Sequence, residues 1–238
     1  MVATMMTIKS SGKLRIGVGL VPTFAMKDPG TGEVRGIAIE LGRALAERLG
    51  VELVPVTYPS PANLPEALKN GAWDIGFLAV DPAREAVMDF SIPYGQVDST
   101  FLVAPGVACR SVNDLDKQGV RIAATRSGVE DLTLTRMFKA AEIIRFDTAG
   151  AGLAALKAGQ ADAVAIPRPV AIAFSEQISG SQVPDDHYAI ALHAIAVPKG
   201  QSGRLDYINE FVSSAKKSGF VKQAMERVGL RGAQVAPD

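Results

Sequence analysis

The chain has 238 residues, enough for one or two domains and a sizeable core. Its 47% hydrophobic and 21% charged residues fit an ordinary globular α/β protein, and 25 basic against 25 acidic residues leave no net charge to recruit nucleic acid or an anionic membrane. The single Cys109 rules out an internal disulfide, His187 and His193 alone make no Cys/His cluster for zinc, and no apolar run reaches the roughly 18 residues of a membrane span.

Residues 1–12 have neither a basic start nor a long enough apolar run to be a secretory signal peptide as written. Residues 14–20, LRIGVGL, alternate and are rich in branched side chains, so they read as the first strand, followed by the loop Pro22-Thr23-Phe24. Residues 28–33 are turn chemistry, a hairpin tip. After Gly36, Ile37, Leu41, Leu45 and Leu49 recur every four positions, giving an amphipathic helix that stops at Gly50. Residues 51–56 return as a strand, a proline-stiffened loop follows at 58–62, and residues 64–69 form the next helix.

Residues 71–94, GAWDIGFLAVDPAREAVMDFSIPY, are the most informative stretch. Residues 75–80 are an apolar run between turn signals, a short strand buried on both faces as in parallel sheets. Small molecules bind outside the carboxyl ends of such strands, which here is the end formed by Ala79 and Val80. Pro82 suits a first helical turn with Asp81 as its N-cap. Arg84 then lies in that first turn, either holding an anion or solvated on the surface. An internal echo follows: residues 67–74, ALKNGAWD, return as residues 155–162, ALKAGQAD, an offset of 88 (162 − 74). Both copies read as helix end, Gly C-cap, Asp, apolar strand, and Trp73 reads as the cover of a helix end.

Residues 95–104 read as extended and 111–115 as a short helix. The strand 120–124 leads into Thr125-Arg126-Ser127-Gly128-Val129, and residues 130–141 read as a helix. Residues 143–146 are a strand, 163–166 are the counterpart of 75–80, and Pro167-Arg168-Pro169 closes that strand. Residues 187–197 are apolar and rich in strand formers, 205–217 and 220–228 are helices stopped by Gly219 and Gly229, and 230–238 read as a tail.

The steps Asp81-Pro82-Ala83-Arg84 and Phe90-Ser91-Ile92-Pro93-Tyr94, together with residues 36–41 and 193–200, resemble the type II periplasmic solute-binding proteins of solute-binding family 3, the amino-acid-receptor branch of ABC transporters. The resemblance implies a two-lobed type II fold, each lobe a mostly parallel sheet flanked by helices: residues 12–97 plus 193–238 as one lobe, 98–192 as the other, joined by two crossing strands. In that family the arginine at the place of Arg84 clamps the ligand carboxylate, helped by a hydroxyl where this chain has Asp81, which here either caps the helix or pairs with Arg84. Phe24 stands where an aromatic wall is common, or is a core residue; Ser127, Gly128 and Val129 stand where hydroxyls and N–H groups complete the carboxylate site, or form a plain N-cap. Family members that bind α-amino acids hold the ammonium with an aspartate near Pro167, whereas residues 163–171 contain no acid and offer Arg168, which either meets a second acidic end of the ligand or sits on the surface. His193 is either a cleft residue or a satisfied histidine in the second crossing strand.

The implied function is an extracytoplasmic, periplasmic solute-binding protein, monomeric and without cofactor, metal or catalytic residue. It would capture a small carboxylate, amino-acid-like or an organic acid, in the interlobe cleft by hinge closure and present it to the permease of an ABC transporter. An alternative is a cyclohexadienyl or prephenate type of dehydratase on the same fold. Another is a cytoplasmic effector-sensing domain, against which no helix-turn-helix segment precedes Leu14. Closure driven by differential affinity predicts that small-angle scattering shows a smaller radius of gyration with saturating ligand; an unchanged radius argues against the clamp.

Overall fold

A helix, α1 (Ala3–Ser11), begins the chain in the computed structural model, which describes residues 3–22 and 24–238. Its apolar residues lack helical spacing, which hid it from the sequence reading; its own Ile8 is buried. Residues 1 and 2 of that N-terminal stretch lie outside the described residues.

The chain then divides into two units: Met1–Gln96, Leu192–Leu230 and Gln234–Asp238 form unit 1, and Val97–Ala191 with Arg231–Ala233 form unit 2. Unit 1 continues with β1 (Lys13–Gly19) and the hairpin β2 (Met26–Lys27) and β3 (Val34–Arg35). The hairpin tip is tied by Asp28, whose carboxylate accepts from the N–H groups of Gly30 at 2.9 Å and Thr31 at 2.7 Å. Helix α2 (Ile37–Leu49) follows, capped by Gly50 at φ 71°, a conformation that glycine adopts without steric cost. Next come β4 (Glu52–Tyr58), α3 (Leu64–Lys69), β5 (Ile75–Ala79), the single turn α4 (Pro82–Glu85) and β6 (Met88–Phe90).

Strand β7 (Gly95–Val103) runs from unit 1 into unit 2. There β8 (Arg121–Thr125), α5 (Val129–Met137), β9 (Glu142–Phe146), α6 (Ala149–Lys157), β10 (Ala163–Pro167) and α7 (Arg168–Ser175) follow in order. Strand β11 (Ala189–Pro198) returns to unit 1, where α8 (Ser202–Lys217) and α9 (Phe220–Arg227) follow, and the short β12 (Ala233–Val235) runs from the Arg231–Ala233 segment of unit 2 back into unit 1. In unit 1, β1 lies between β4 and β5 and pairs with both in parallel; β11 pairs antiparallel with β5, placing His193 opposite Ala79. In unit 2, β8 lies between β9 and β10, parallel to each, and β10 pairs antiparallel with β7.

Three expectations are corrected. The helix expected over 130–141 stops at Met137, because the carboxylate of Asp116 accepts from the N–H groups of Lys139, Ala140 and Ala141 at 2.8–3.0 Å and draws that segment out of the helix. Phe138 meanwhile turns into the unit 2 core beside Phe101 and Tyr188. Helix α7 was missed: Pro169 sits in its first turn and Val170, Ala171 and Phe174 face inward, a pattern the Pro-Arg-Pro step obscured. The tail contains β12, and its Ala236 N–H donates to the Tyr94 carbonyl.

The echo in sequence is an echo in structure. Arg15 Nε and Nη2 donate to the two carboxylate oxygens of Asp74 at 3.2 and 2.7 Å, and the Arg15 N–H donates to the same carboxylate at 2.9 Å. Arg121 grips Asp162 in the same way at 3.2, 2.8 and 2.8 Å. Each aspartate N–H returns a bond to the carbonyl of its arginine, 2.9 Å for Asp74 and 2.8 Å for Asp162. Each preceding helix ends in a glycine at positive φ, 62° at Gly71 and 68° at Gly159. A bidentate carboxylate fork is directional, so each pair fixes how its buried strand enters the sheet.

Trp73, 1% exposed, packs with Leu64, Leu78, Met88 and Ala196. Its ring lies against Gly17 so closely that a Cβ there would stand 2.7 Å from it. Gly17→Ala should therefore cost about 1–3 kcal/mol through overpacking; a urea unfolding midpoint equal to that of the wild type would contradict this packing.

Candidate functional site

In unit 1 the site is built at the carboxyl end of β5. The chain leaves the strand at Val80, and Asp81 caps the following turn, its carboxylate accepting from the Ala83 N–H at 2.9 Å. Pro82 in the first position fixes φ for that turn. The turn brings Arg84 back over the strand end, where Nη1 donates to the Ala79 carbonyl at 2.7 Å. Arg84 is 5% exposed, so its guanidinium is buried and is not a solvated surface group.

The Phe-Ser-Ile-Pro-Tyr step then locks onto β11. Ser91 N–H donates to the Ile195 carbonyl at 2.9 Å, Ser91 Oγ accepts from the Ile195 N–H at 3.0 Å, and Tyr94 N–H donates to the His193 carbonyl at 2.9 Å. Beyond β11, Lys199 Nζ donates to the Glu85 carbonyl at 2.8 Å and pairs with Asp89 at 2.8 Å, while Gly200 N–H donates to Asp89. The two sequence patterns at 81–94 and 193–200 are thus halves of one hydrogen-bonded assembly around Arg84.

Phe24 closes this corner. Its ring stacks on His193 with centroids 4.7 Å apart and planes 15° apart, and Tyr94 tilts towards the imidazole at 6.4 Å. Thr23, in the same loop, lies outside the described residues. His193 is 9% exposed, and its Nε2 has no hydrogen-bond partner among the described residues, so the reading of a satisfied histidine is not met. Burial first, and then the neighbouring Arg84 charge, push its pKa from the ordinary 6.5 down to about 3, so the ring is neutral. Burial also raises the Tyr94 phenol. The sequence signal for the corner was the apolar strand around a lone imidazole; what it could not show was the Phe24 stack.

In unit 2 the loop after β8 is drawn tight. Ser127 has φ 54°, the one non-glycine residue with positive φ among the described residues. Its N–H donates to Asp131 at 2.9 Å, and Gly128 N–H donates to the Thr125 carbonyl at 2.8 Å, where a Cβ on Gly128 would clash. Asp131 in turn pairs with Arg145 at 2.9 Å. Two of the N–H groups expected to meet an anion are therefore used inside the unit, while Ser127 is exposed and the Val129 N–H stands in the first turn of α5, where N–H groups have no intrahelical partner.

Arg168 is engaged within unit 2. Its Nε donates to Asp98 at 3.0 Å, Nη1 to the Pro184 carbonyl at 2.8 Å, and Nη2 to the carbonyls of Asp185 at 3.0 Å and Asp186 at 2.8 Å. Nη1 and Nη2 thus hold the 184–186 loop and Nε holds Asp98, so each guanidinium nitrogen has a partner inside unit 2. Among the described residues no group of three His, Cys, Asp or Glu side chains is placed to hold a metal ion.

Residues 14–229 match the model of the bacterial extracellular solute-binding proteins, family 3. The chain belongs to that family. It is 25% identical to the ABC transporter glutamine-binding protein GlnH of Bacillus subtilis, over 91% of this chain and 81% of that protein. It is 28% identical to the glutamine-binding protein of Geobacillus stearothermophilus, over 82% of this chain and 76% of that protein. Among solved structures it is similar to the ancestral amino acid-binding protein AncCDT-1, a precursor of cyclohexadienyl dehydratase, with a TM-score of 0.85 and 27% identity over 94% of this chain and 99% of that one. The mixed α/β architecture of this family 3 protein is therefore the type II fold that the resemblance implied.

A neutral buried His193 has a pH signature. Between pH 6.5 and about 3 the unfolded chain takes up a proton at His193 that the folded state refuses, so stability falls as pH falls through that window. The slope from this residue is about 1.4 kcal/mol per pH unit. His193→Phe, which retains a ring to stack on Phe24, should lose about 2 kcal/mol less stability than the wild type between pH 6.5 and 5 in urea titrations; parallel losses would show that the imidazole is not held neutral.

Proposed function

We propose that this family 3 protein binds a small carboxylate with Arg84 outside the cytoplasm, in the periplasm, as a monomer, and delivers it to the membrane permease of an ABC transporter. The observation behind this reading is the buried guanidinium of Arg84 at the carboxyl end of β5, 5% exposed and turned onto the Ala79 carbonyl. A carboxylate matches the planar donor fork of a guanidinium, which can meet both of its oxygens at once. GlnH of Bacillus subtilis is named as an ABC transporter protein that binds glutamine, which supports both the transporter partner and the amino-acid-like size of the solute.

The solute is proposed to lack an ammonium group. Residues 163–171 contain no acid, and an ammonium buried without a negative partner loses several kcal/mol. Catalysis is not part of the reading: a dehydratase needs a general acid, and the carboxylate of Asp81 is engaged as the cap of α4.

Calorimetry with a panel of amino acids and their matched keto, hydroxy and aromatic acids tests both statements. The acids without ammonium should bind, and Arg84→Gln should weaken them by about 2–5 kcal/mol while the melting transition stays cooperative. Tight binding of amino acids alone sinks the ammonium statement; unchanged affinity in Arg84→Gln sinks the clamp.

A further inference from the structure

His193 is a buried imidazole whose position is set from three sides. Across the β5–β11 ladder it faces Ala79, the residue whose carbonyl Arg84 holds at 2.7 Å. Phe24 covers one ring face in a near-parallel stack, and Tyr94 tilts against the ring from the segment hydrogen-bonded to the His193 carbonyl. With the ring so placed, Nε2 is buried and has no partner among the described residues. Leaving such an atom unmatched costs about 1–3 kcal/mol, and here it lies in the same corner as the guanidinium that grips the acid.

We propose that His193 is a specificity-determining residue: its Nε2 hydrogen-bonds a hydroxyl or carbonyl oxygen that the bound acid carries near the carboxylate held by Arg84. This inference rests on the Arg84 reading and narrows its solute to hydroxy or oxo acids. A neutral imidazole presents one donor or one acceptor at Nε2 and no charge. An ammonium brings three donors and a full charge to that single neutral atom, and stays unsatisfied. A plain apolar acid leaves Nε2 unmatched, and a pocket built to hydrogen-bond a polar atom rejects the analogue that lacks it.

The test uses the full chain labelled with nitrogen-15 histidine and four matched three-carbon acids: lactate, pyruvate, propionate and alanine. The His187 resonances are identified with His187→Gln. Lactate or pyruvate should shift the His193 Nε2 resonance and bind at least about tenfold tighter than propionate and alanine, about 1.4 kcal/mol. His193→Phe, which preserves the stack, should bring the preference to within about twofold, and His193→Gln, which retains a hydrogen-bonding end, should recover part of it. The proposal is overturned by an intact preference in His193→Phe, by alanine or propionate binding best, or by no probe moving the resonance even in large excess. Arg84→Gln separates the two levels: loss of all four acids there with the preference intact in His193→Phe removes only the role of His193, whereas wild-type binding by Arg84→Gln removes the clamp itself.

Discussion

Each unit depends on one bidentate grip, Arg15 on Asp74 in unit 1 and Arg121 on Asp162 in unit 2. The arginine comes from the start of a strand, and the aspartate stands just before the buried strand that joins the same sheet. Because the aspartate also exchanges a backbone bond with its arginine, the interaction fixes register as well as proximity. A slip by one residue would turn every side chain of a fully buried strand such as β5 to the opposite face. The function of the grip is thus positional: it decides where the carboxyl end of each strand emerges, and so where Arg84 can begin its turn. As partly exposed ion pairs, both are worth more as geometry than as energy.

From that end, local chemistry builds the corner around Arg84 in a short run of residues. A capped single turn carries Arg84 back over its own strand, and β11 brings a second set of groups alongside through backbone pairing. Ser91 exemplifies the economy of the arrangement, since one residue gives both its N–H and its hydroxyl to Ile195. The result is a polar corner in a largely apolar neighbourhood, in which backbone groups orient Arg84 and Asp81 and aromatic rings orient His193.

Much of this was legible in the sequence because it depends on near neighbours. Glycine stops, the Asp-Pro helix start and the four-residue rhythm of Ile37, Leu41, Leu45 and Leu49 all act within a turn or two, and the elements they announce are present. The readings that went astray depend on partners distant in the chain. Asp116 ends a helix more than 20 residues away, a capture that no local pattern announces. His193 in an apolar strand looks satisfied until Phe24 is seen to cover its face and not its nitrogen. Sequence periodicity reports which face is buried; it does not report which polar atom is left over.

Unit 2 is an insertion. Apart from the brief Arg231–Ala233 segment it is one continuous stretch, Val97–Ala191, set between two parts of unit 1. During synthesis it can therefore finish while unit 1 still waits for β11, and until the chain has grown past Ala196 one edge of β5 has no partner strand. A bare, fully apolar strand edge is a template for pairing with other nascent chains. The order of emergence from the ribosome consequently makes the first-made half the slower to complete, and the half that gains most from a holding chaperone.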